Sequence, residues 1–206
     1  MIESSRIRRR GSRSRSPAAL LAFAAAAARG RSGAAGAALA GARAQGWSRR
    51  AAEEVALMLV LHAGYPAALE AMGTLARIWP GRARRTRAGS VADWRRRGER
   101  LCRRVYAASY PRLVANVTAL HPDLAVMMIE QGYGRVLSRP GLPAATRELV
   151  AVTVLAATGW ERQLVSHLLG AVRLGASRAA TRAAMERGAA RGMRAAAARA
   201  WRVAFP

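Results

Sequence analysis

Two short glycine-containing segments place the strongest constraint on the fold of this chain. GARAQGWSR occupies residues 41–49 and GAVRLGASR occupies residues 170–178, and the two agree at Gly, Ala, Gly, Ser and Arg. In each segment a glycine interrupts an alanine-rich stretch, and the serine that follows is favoured at helix N-termini. The shared order of helix, break and helix predicts an internal duplication, with copies over roughly 18–72 and 146–200.

The composition favours helices over strands. Alanine is abundant and aromatic residues make up only 5% of the chain. Alanine has the highest helix propensity because it loses no side-chain entropy in a helix. Since few stretches alternate as strands do, we predict an all-α protein in which two helical repeats pack as a pseudo-symmetric bundle.

The chain divides into four predicted segments. Residues 1–17 contain many arginines and serines and few apolar side chains, which predicts a disordered basic tail. A first repeat is predicted over 18–80, a basic linker over 81–92, and a second repeat with the candidate site over 93–206. Within the second repeat, the glycines and prolines of 132–143 predict a loop.

The formal net charge is +24, and every basic residue is arginine. Lysine and arginine both neutralise phosphate, so nucleic-acid binding gives no reason for the absence of lysine. The codon usage of a GC-rich genome accounts for both the arginine and the alanine. We therefore expect only non-specific nucleic-acid binding through the basic tail, and an acidic small molecule as the substrate.

One cysteine, Cys102, excludes an internal disulfide, and neither a metal site nor a cofactor is expected. The apolar stretch 17–28 is too short to span a bilayer, although it follows a basic start as in a signal peptide. We expect a cytoplasmic protein with no membrane partner.

Glu148 and His167 are the candidate proton-transfer residues. Glu148 lies 11 residues before Gly159, and His167 lies 8 residues after it. If the helices on either side of Gly159 form an antiparallel hairpin, the two residues differ in height by about one helical turn. A carboxylate beside an imidazole orients the ring and holds its proton. On spacing alone, such a pair is more often a structural hydrogen bond in the core or a chance pair on the surface than a catalytic pair.

Three motifs in this region resemble the carboxymuconolactone decarboxylase family, which is related to the alkylhydroperoxidase D-like proteins. They are RELV at 147–150, QLVSHLLGA at 163–171 and GAS at 175–177. EEVALMLVLHAGYPAALEAM at 53–72 is similar to the segment that, in the family, follows the helix cap formed by the GAS motif. The resemblance covers most of residues 18–190. Members of the family assemble as rings of small helical subunits, so the resemblance also implies a homo-oligomer.

The resemblance implies roles for particular residues. Glu148 and His167 match a Glu/His proton relay, while Trp160 and Gln163 occupy the positions of the Cys-x-x-Cys pair of the peroxidase branch. Neither residue reacts with a peroxide. The chain therefore resembles the cysteine-free decarboxylase branch, in which the histidine moves a proton during loss of CO₂.

The first copy has Ala19 and Ala38 at the positions of Glu148 and His167, so we expect chemistry in the second copy only. A site that needs both copies would bring His167 against His62 and Tyr65. The predicted substrate-binding residues are His62, Tyr65, Trp160, Gln163 and Arg135.

Three other functions remain open besides a lyase or isomerase acting on a small carboxylated lactone. The related peroxidase branch suggests a thiol peroxidase, but this chain lacks the Cys-x-x-Cys pair of that branch. The alanines of the first copy are also consistent with a non-catalytic helical scaffold. The arginines of 82–104 suggest nucleic-acid binding, but no recognition motif accompanies them.

Overall fold

The computed structural model describes residues 15–83, 85–86 and 89–206, and within these ranges it contains helices and no strand. The predicted all-α bundle is therefore confirmed. The predicted tail lies outside the described residues over positions 1–14, as do Arg84, Arg87 and Ala88 of the predicted linker. No helix in the described ranges is both long enough and apolar enough to cross a membrane.

The α-helices of the described residues are numbered in chain order. They are α1 (Ala18–Ala28), α2 (Ser32–Ala44), α3 (Arg49–His62), α4 (Gly64–Ile78), α5 (Val91–Tyr106), α6 (Tyr110–Leu120), α7 (Pro122–Met127), α8 (Ala144–Thr158), α9 (Glu161–Arg173), α10 (Arg178–Gly188) and α11 (Arg194–Ala204). Short 3₁₀ turns precede α6 and α11.

Helices α1 and α8 form the centre of the bundle and pack against each other. Helix α1 is apolar on all sides, and its Leu20 and Phe23 side chains are fully buried. A helix without a polar face is stable in water only where other helices surround it. Helices α2, α3, α4 and α10 also contact α1, while α3, α9 and α10 contact α8.

The helices around the two glycine-containing segments begin at corresponding positions. Helix α3 begins after Ser48 and α10 begins after Ser177, and each serine hydroxyl accepts a hydrogen bond from a backbone N–H three residues later. These bonds measure 3.2 Å and 3.1 Å. The serines therefore act as N-caps, as the sequence predicts.

The breaks before these helices use left-handed glycines. Gly46 has φ +76° and Gly175 has φ +101°, a region that other residues rarely adopt. Gly30 and Gly159, in the preceding breaks, have φ +66° and +81°. The glycine spacing thus fixes where the chain reverses in both halves.

The prediction of a loop over 132–143 is wrong for its first part. Helix α7 continues directly into a π-helical segment, Met128–Leu137, which packs along α5. A Cβ on Gly98 would lie 2.0 Å from the carbonyl oxygen of Ile129, and one on Gly134 would lie 2.1 Å from that of Trp94. These two glycines therefore allow the backbones of α5 and the π-helical segment to come into contact. Gly134 does not end a helix, as a loop would require.

The predicted linker is also shorter than expected. Helix α5 begins at Val91 instead of residue 93. The Ser90 hydroxyl accepts a hydrogen bond from the Asp93 N–H, and the Asp93 carboxylate accepts one from the Ser90 N–H. This capping box stabilises an earlier helix start than the apolar pattern indicates.

Candidate active site

The structure brings Glu148 and His167 into direct contact. They lie on α8 and α9, which pack together on either side of the left-handed Gly159. His167 Nδ1 is 2.8 Å from Glu148 Oε2, and the residues are 7% and 1% exposed. An ionised carboxylate can only accept, so Nδ1 is the nitrogen that donates and Nε2 remains available.

The small residue Gly170 makes room for this pair. It lies on α9, and a Cβ at its position would be 2.7 Å from Glu148 Oε2 and 2.7 Å from Val105 Cγ1. These distances are shorter than real Cβ contacts, so any larger residue would displace the carboxylate or Val105. The glycine of QLVSHLLGA thus has a packing role at the site.

His62, the last residue of α3, lies beside His167. Its ring is edge-on to that of His167, with centroids 5.4 Å apart and planes at 81°. Its Nε2 is buried without a hydrogen-bond partner among the described residues. Burial, and then the nearby His167, lowers the pKa of His62 to about 3. His62 is therefore neutral at pH 7.

A second group of polar side chains surrounds the carboxylate. Burial, and then the charge of Glu148, raises the pKa of the Cys102 thiol to about 12. Burial, and then Tyr106 and Glu148, raises the pKa of Tyr133, whose ring is 6.3 Å from that of Tyr106. The two tyrosines were not predicted as site residues, because glycines around Tyr133 suggest a loop rather than a packed helix.

The other predicted binding residues lie apart from this contact. Tyr65 is 69% exposed and Trp160 is 59% exposed, while Gln163 and Arg135 are also exposed. The Arg135 guanidinium stacks over the ring of Trp94 at 4.9 Å. Of the predicted binding residues, His62 is the one with a ring contact to His167.

A buried ion cluster joins the two halves and was not predicted. Glu54 on α3 is 2% exposed and accepts hydrogen bonds from Arg139 and Arg147, each with a shortest distance of 2.9 Å. Arg139 lies just after the π-helical segment, and its guanidinium neutralises Glu54. Arg147, the first residue of RELV, is itself 2% exposed.

A large cavity borders this cluster, since Glu54 and Arg139 are among its lining residues. Its volume is about 970 Å³, and it is lined by residues of α3, α4, α5, the segment before α5, the π-helical segment and the residues just after it, with Trp94, Arg135 and Arg139 among them. Glu148 and His167 do not line it. In the described part of the chain no group of His, Cys, Asp and Glu side chains has the arrangement of a metal site.

Two comparisons with known proteins find similarity to one family over part of the chain. Residues 122–205 match the model of the carboxymuconolactone decarboxylase family. A segment is 40% identical over 57 residues to the 4-carboxymuconolactone decarboxylase of Acinetobacter baylyi, covering 28% of this chain and 42% of that relative. The part of the chain that contains Glu148 and His167 is therefore similar to carboxymuconolactone decarboxylases.

Proposed function

We propose that this protein is a carboxymuconolactone decarboxylase-like enzyme, a lyase or isomerase that acts on a small carboxylated lactone or related organic acid. The observation that carries the proposal is the 2.8 Å contact between the buried side chains of Glu148 and His167. The similarity of residues 122–205 to the decarboxylase family supports the same chemistry.

His167 is the proposed proton carrier and Glu148 the residue that orients it. With Nδ1 bound to Glu148, the ring exchanges protons through Nε2. When a substrate carboxylate leaves as CO₂, its bonding electrons stay on the adjacent carbon, and Nε2 of the protonated ring supplies the proton that this carbon takes up. Solvent then returns a proton to the ring. Glu148 keeps the ring oriented throughout by its contact with Nδ1.

His62 is proposed to shape the substrate side of the site. It is uncharged and edge-on to His167, so it lines the site without competing for the proton. Tyr65, Trp160, Gln163 and Arg135 remain proposed substrate contacts. Their exposure means that a substrate would reach them from solvent or across an interface between copies of the chain.

We also propose that the two halves descend from one duplicated unit, of which the second retains the acid–base pair. The matching serine caps and left-handed glycines support this origin. Ala19 and Ala38 occupy the positions of Glu148 and His167, so the first half contributes His62 and packing instead.

Two other functions are disfavoured. A thiol peroxidase needs an accessible low-pKa cysteine. Cys102 is fully buried with its pKa raised to about 12, and Trp160 and Gln163 stand where the family has cysteines. A non-catalytic scaffold has no need of a buried carboxylate and imidazole in hydrogen-bond contact, although such a pair also occurs as a core hydrogen bond.

The test is CO₂ release from 4-carboxymuconolactone and other carboxylated lactones by the purified full-length protein. His167→Ala should lower kcat by about 10²–10⁴-fold, because it removes the proton carrier. The kcat of Glu148→Gln should lie between that of His167→Ala and that of the wild-type protein. His121→Ala is the matched control, since His121 is an exposed residue at the start of α7 and should leave the rate unchanged.

Two results would contradict the proposal. The first is an absence of CO₂ release by the wild-type protein from every lactone, which would favour the scaffold. The second is a rate that His167→Ala leaves unchanged. Circular dichroism of each variant separates a loss of chemistry from a loss of fold.

A further inference from the structure

A second cavity, of about 240 Å³, lies between α5 and the start of α8. Five of its lining residues are arginines: Arg97, Arg100, Arg104, Arg139 and Arg147. Three leucines form apolar parts of its wall, and the described lining contains no carboxylate. Glu148, His167 and His62 do not line it, so it is separate from the candidate active site.

The cavity has an excess of positive charge. Arg97, Arg100 and Arg104 follow one another at intervals of three and four residues, which places them on one face of α5. Among the described residues, neither Arg100 nor Arg104 forms an ion pair with a carboxylate. The buried carboxylate of Glu54 pairs with Arg139 and Arg147, so these two arginines share one negative charge.

Arg147 has donors that the protein leaves unsatisfied. Its Nη2 donates to Glu54 and to the carbonyl oxygens of Arg139 and Pro140. Its Nε and Nη1 are buried and have no acceptor within the described residues. A buried donor of a charged group without an acceptor is costly, so native proteins seldom retain one without a reason.

The N-terminus of α8 faces the same cavity. Ala144, the first residue of this 15-residue helix, is part of the lining. Pro143 at the N-cap accepts no side-chain cap hydrogen bond, and the first turn contains no acidic residue. The free N–H groups and the positive end of the helix dipole therefore remain uncompensated, and they favour an anion.

We propose that this cavity is a binding site for a small organic dianion. The oxyanion groups lie against the α5 arginines and the N-terminus of α8, and they offset the charge of Arg147. The apolar body of the ligand packs against Leu101, Leu137 and Leu142. The volume is below the range of cavities that hold drug-sized ligands, which restricts the ligand to a compact molecule.

Isothermal titration of the full chain with phthalate, a compact aromatic dicarboxylate, tests the site. We expect saturable binding that weakens with added salt. Arg104→Gln should weaken it about tenfold, because one charge-assisted contact is lost, and Arg100→Gln combined with Arg104→Gln should weaken it further. Both side chains are exposed, so these variants should fold.

Arg103→Gln is the control, since Arg103 is an exposed neighbour on α5 that stacks over Tyr110 and does not line the cavity. It removes the same charge and should change the affinity less than about twofold. Inorganic phosphate tests the apolar part of the proposal and should bind more weakly than phthalate.

Three results would overturn the proposal: no saturable binding of phthalate at millimolar concentration, equal losses in Arg103→Gln and Arg104→Gln, or equal affinity for phosphate and phthalate. His167→Ala should retain full phthalate binding. That result separates this site from the proposed decarboxylase activity, which can fail without affecting it.

Discussion

Replacing Gly170 by alanine should displace the carboxylate of Glu148 at a measurable cost in stability. The added Cβ would lie 2.7 Å from Glu148 Oε2 and 2.7 Å from Val105 Cγ1. Both neighbours are almost completely buried, at 1% and 0% exposure, so neither can move aside without disturbing the core. Overpacking of this kind costs about 1–3 kcal/mol.

The higher helix propensity of alanine stabilises the same variant, so its contribution has to be measured separately in a control. An alanine in a helix interior is about 0.5–1 kcal/mol more favourable than a glycine. Gly73 provides the control, because it lies inside α4 and a Cβ there would meet nothing within 4 Å. Since propensity affects both variants alike, the difference between them isolates the steric term of about 1–3 kcal/mol.

Urea denaturation followed by circular dichroism measures both variants. Gly73→Ala should be more stable than wild type, and Gly170→Ala should be less stable than Gly73→Ala by the steric term. Gly170→Ala should also lower any lactone turnover, because Glu148 no longer orients His167. Equal stabilities for the two alanine variants would show that Gly170 is not needed to accommodate the carboxylate.

Three further predictions concern buried ionisable groups. Because the pKa of His62 is about 3 when folded and about 6.5 when unfolded, the unfolded state binds more protons between these values. The free energy of unfolding should therefore fall by up to about 1.4 kcal/mol per pH unit as the pH drops through this window. In His62→Leu, the midpoint of urea denaturation should depend less on pH than it does in the wild-type protein. Cys102, buried and with its pKa raised to about 12, should react with a thiol reagent only after unfolding, and thiol-dependent peroxide turnover should be absent. Glu54→Gln should destabilise the fold by about 3–5 kcal/mol because it leaves Arg147 buried without a counter-charge, whereas Glu186→Gln, at an exposed pair, should cost at most about 1 kcal/mol in the same urea titration.

Local signals in the sequence were sufficient for the all-α fold and for the contact at the candidate site. Ser48, Ser177 and the glycine of each break act within a few residues of themselves, so their effects follow from local chemistry. Glu148 and His167 are separated by one short turn at Gly159, so helix geometry alone brings them to similar heights.

Features that depend on distant packing could not be predicted in the same way. Arg147 is 93 residues from Glu54 in the sequence, and no local pattern relates them. The glycine at 134 is an ordinary signal for a loop, yet α5 approaches so closely that this glycine is required inside a helix. The same limit applies to the small cavity, because its arginines come from α5, α8 and the segment between them.

The most direct test of the central claim is the position of the proton on the His167 ring. The ¹⁵N chemical shifts of its two nitrogens report this position in the neutral form of the ring. We expect the proton on Nδ1, donated to Glu148, with Nε2 bare and able to take up the solvent proton that it then passes to the substrate carbon. Glu148→Leu should abolish this preference. A proton on Nε2 in the wild-type protein, with Nδ1 bare, would contradict the claim that Glu148 holds His167 ready for proton transfer.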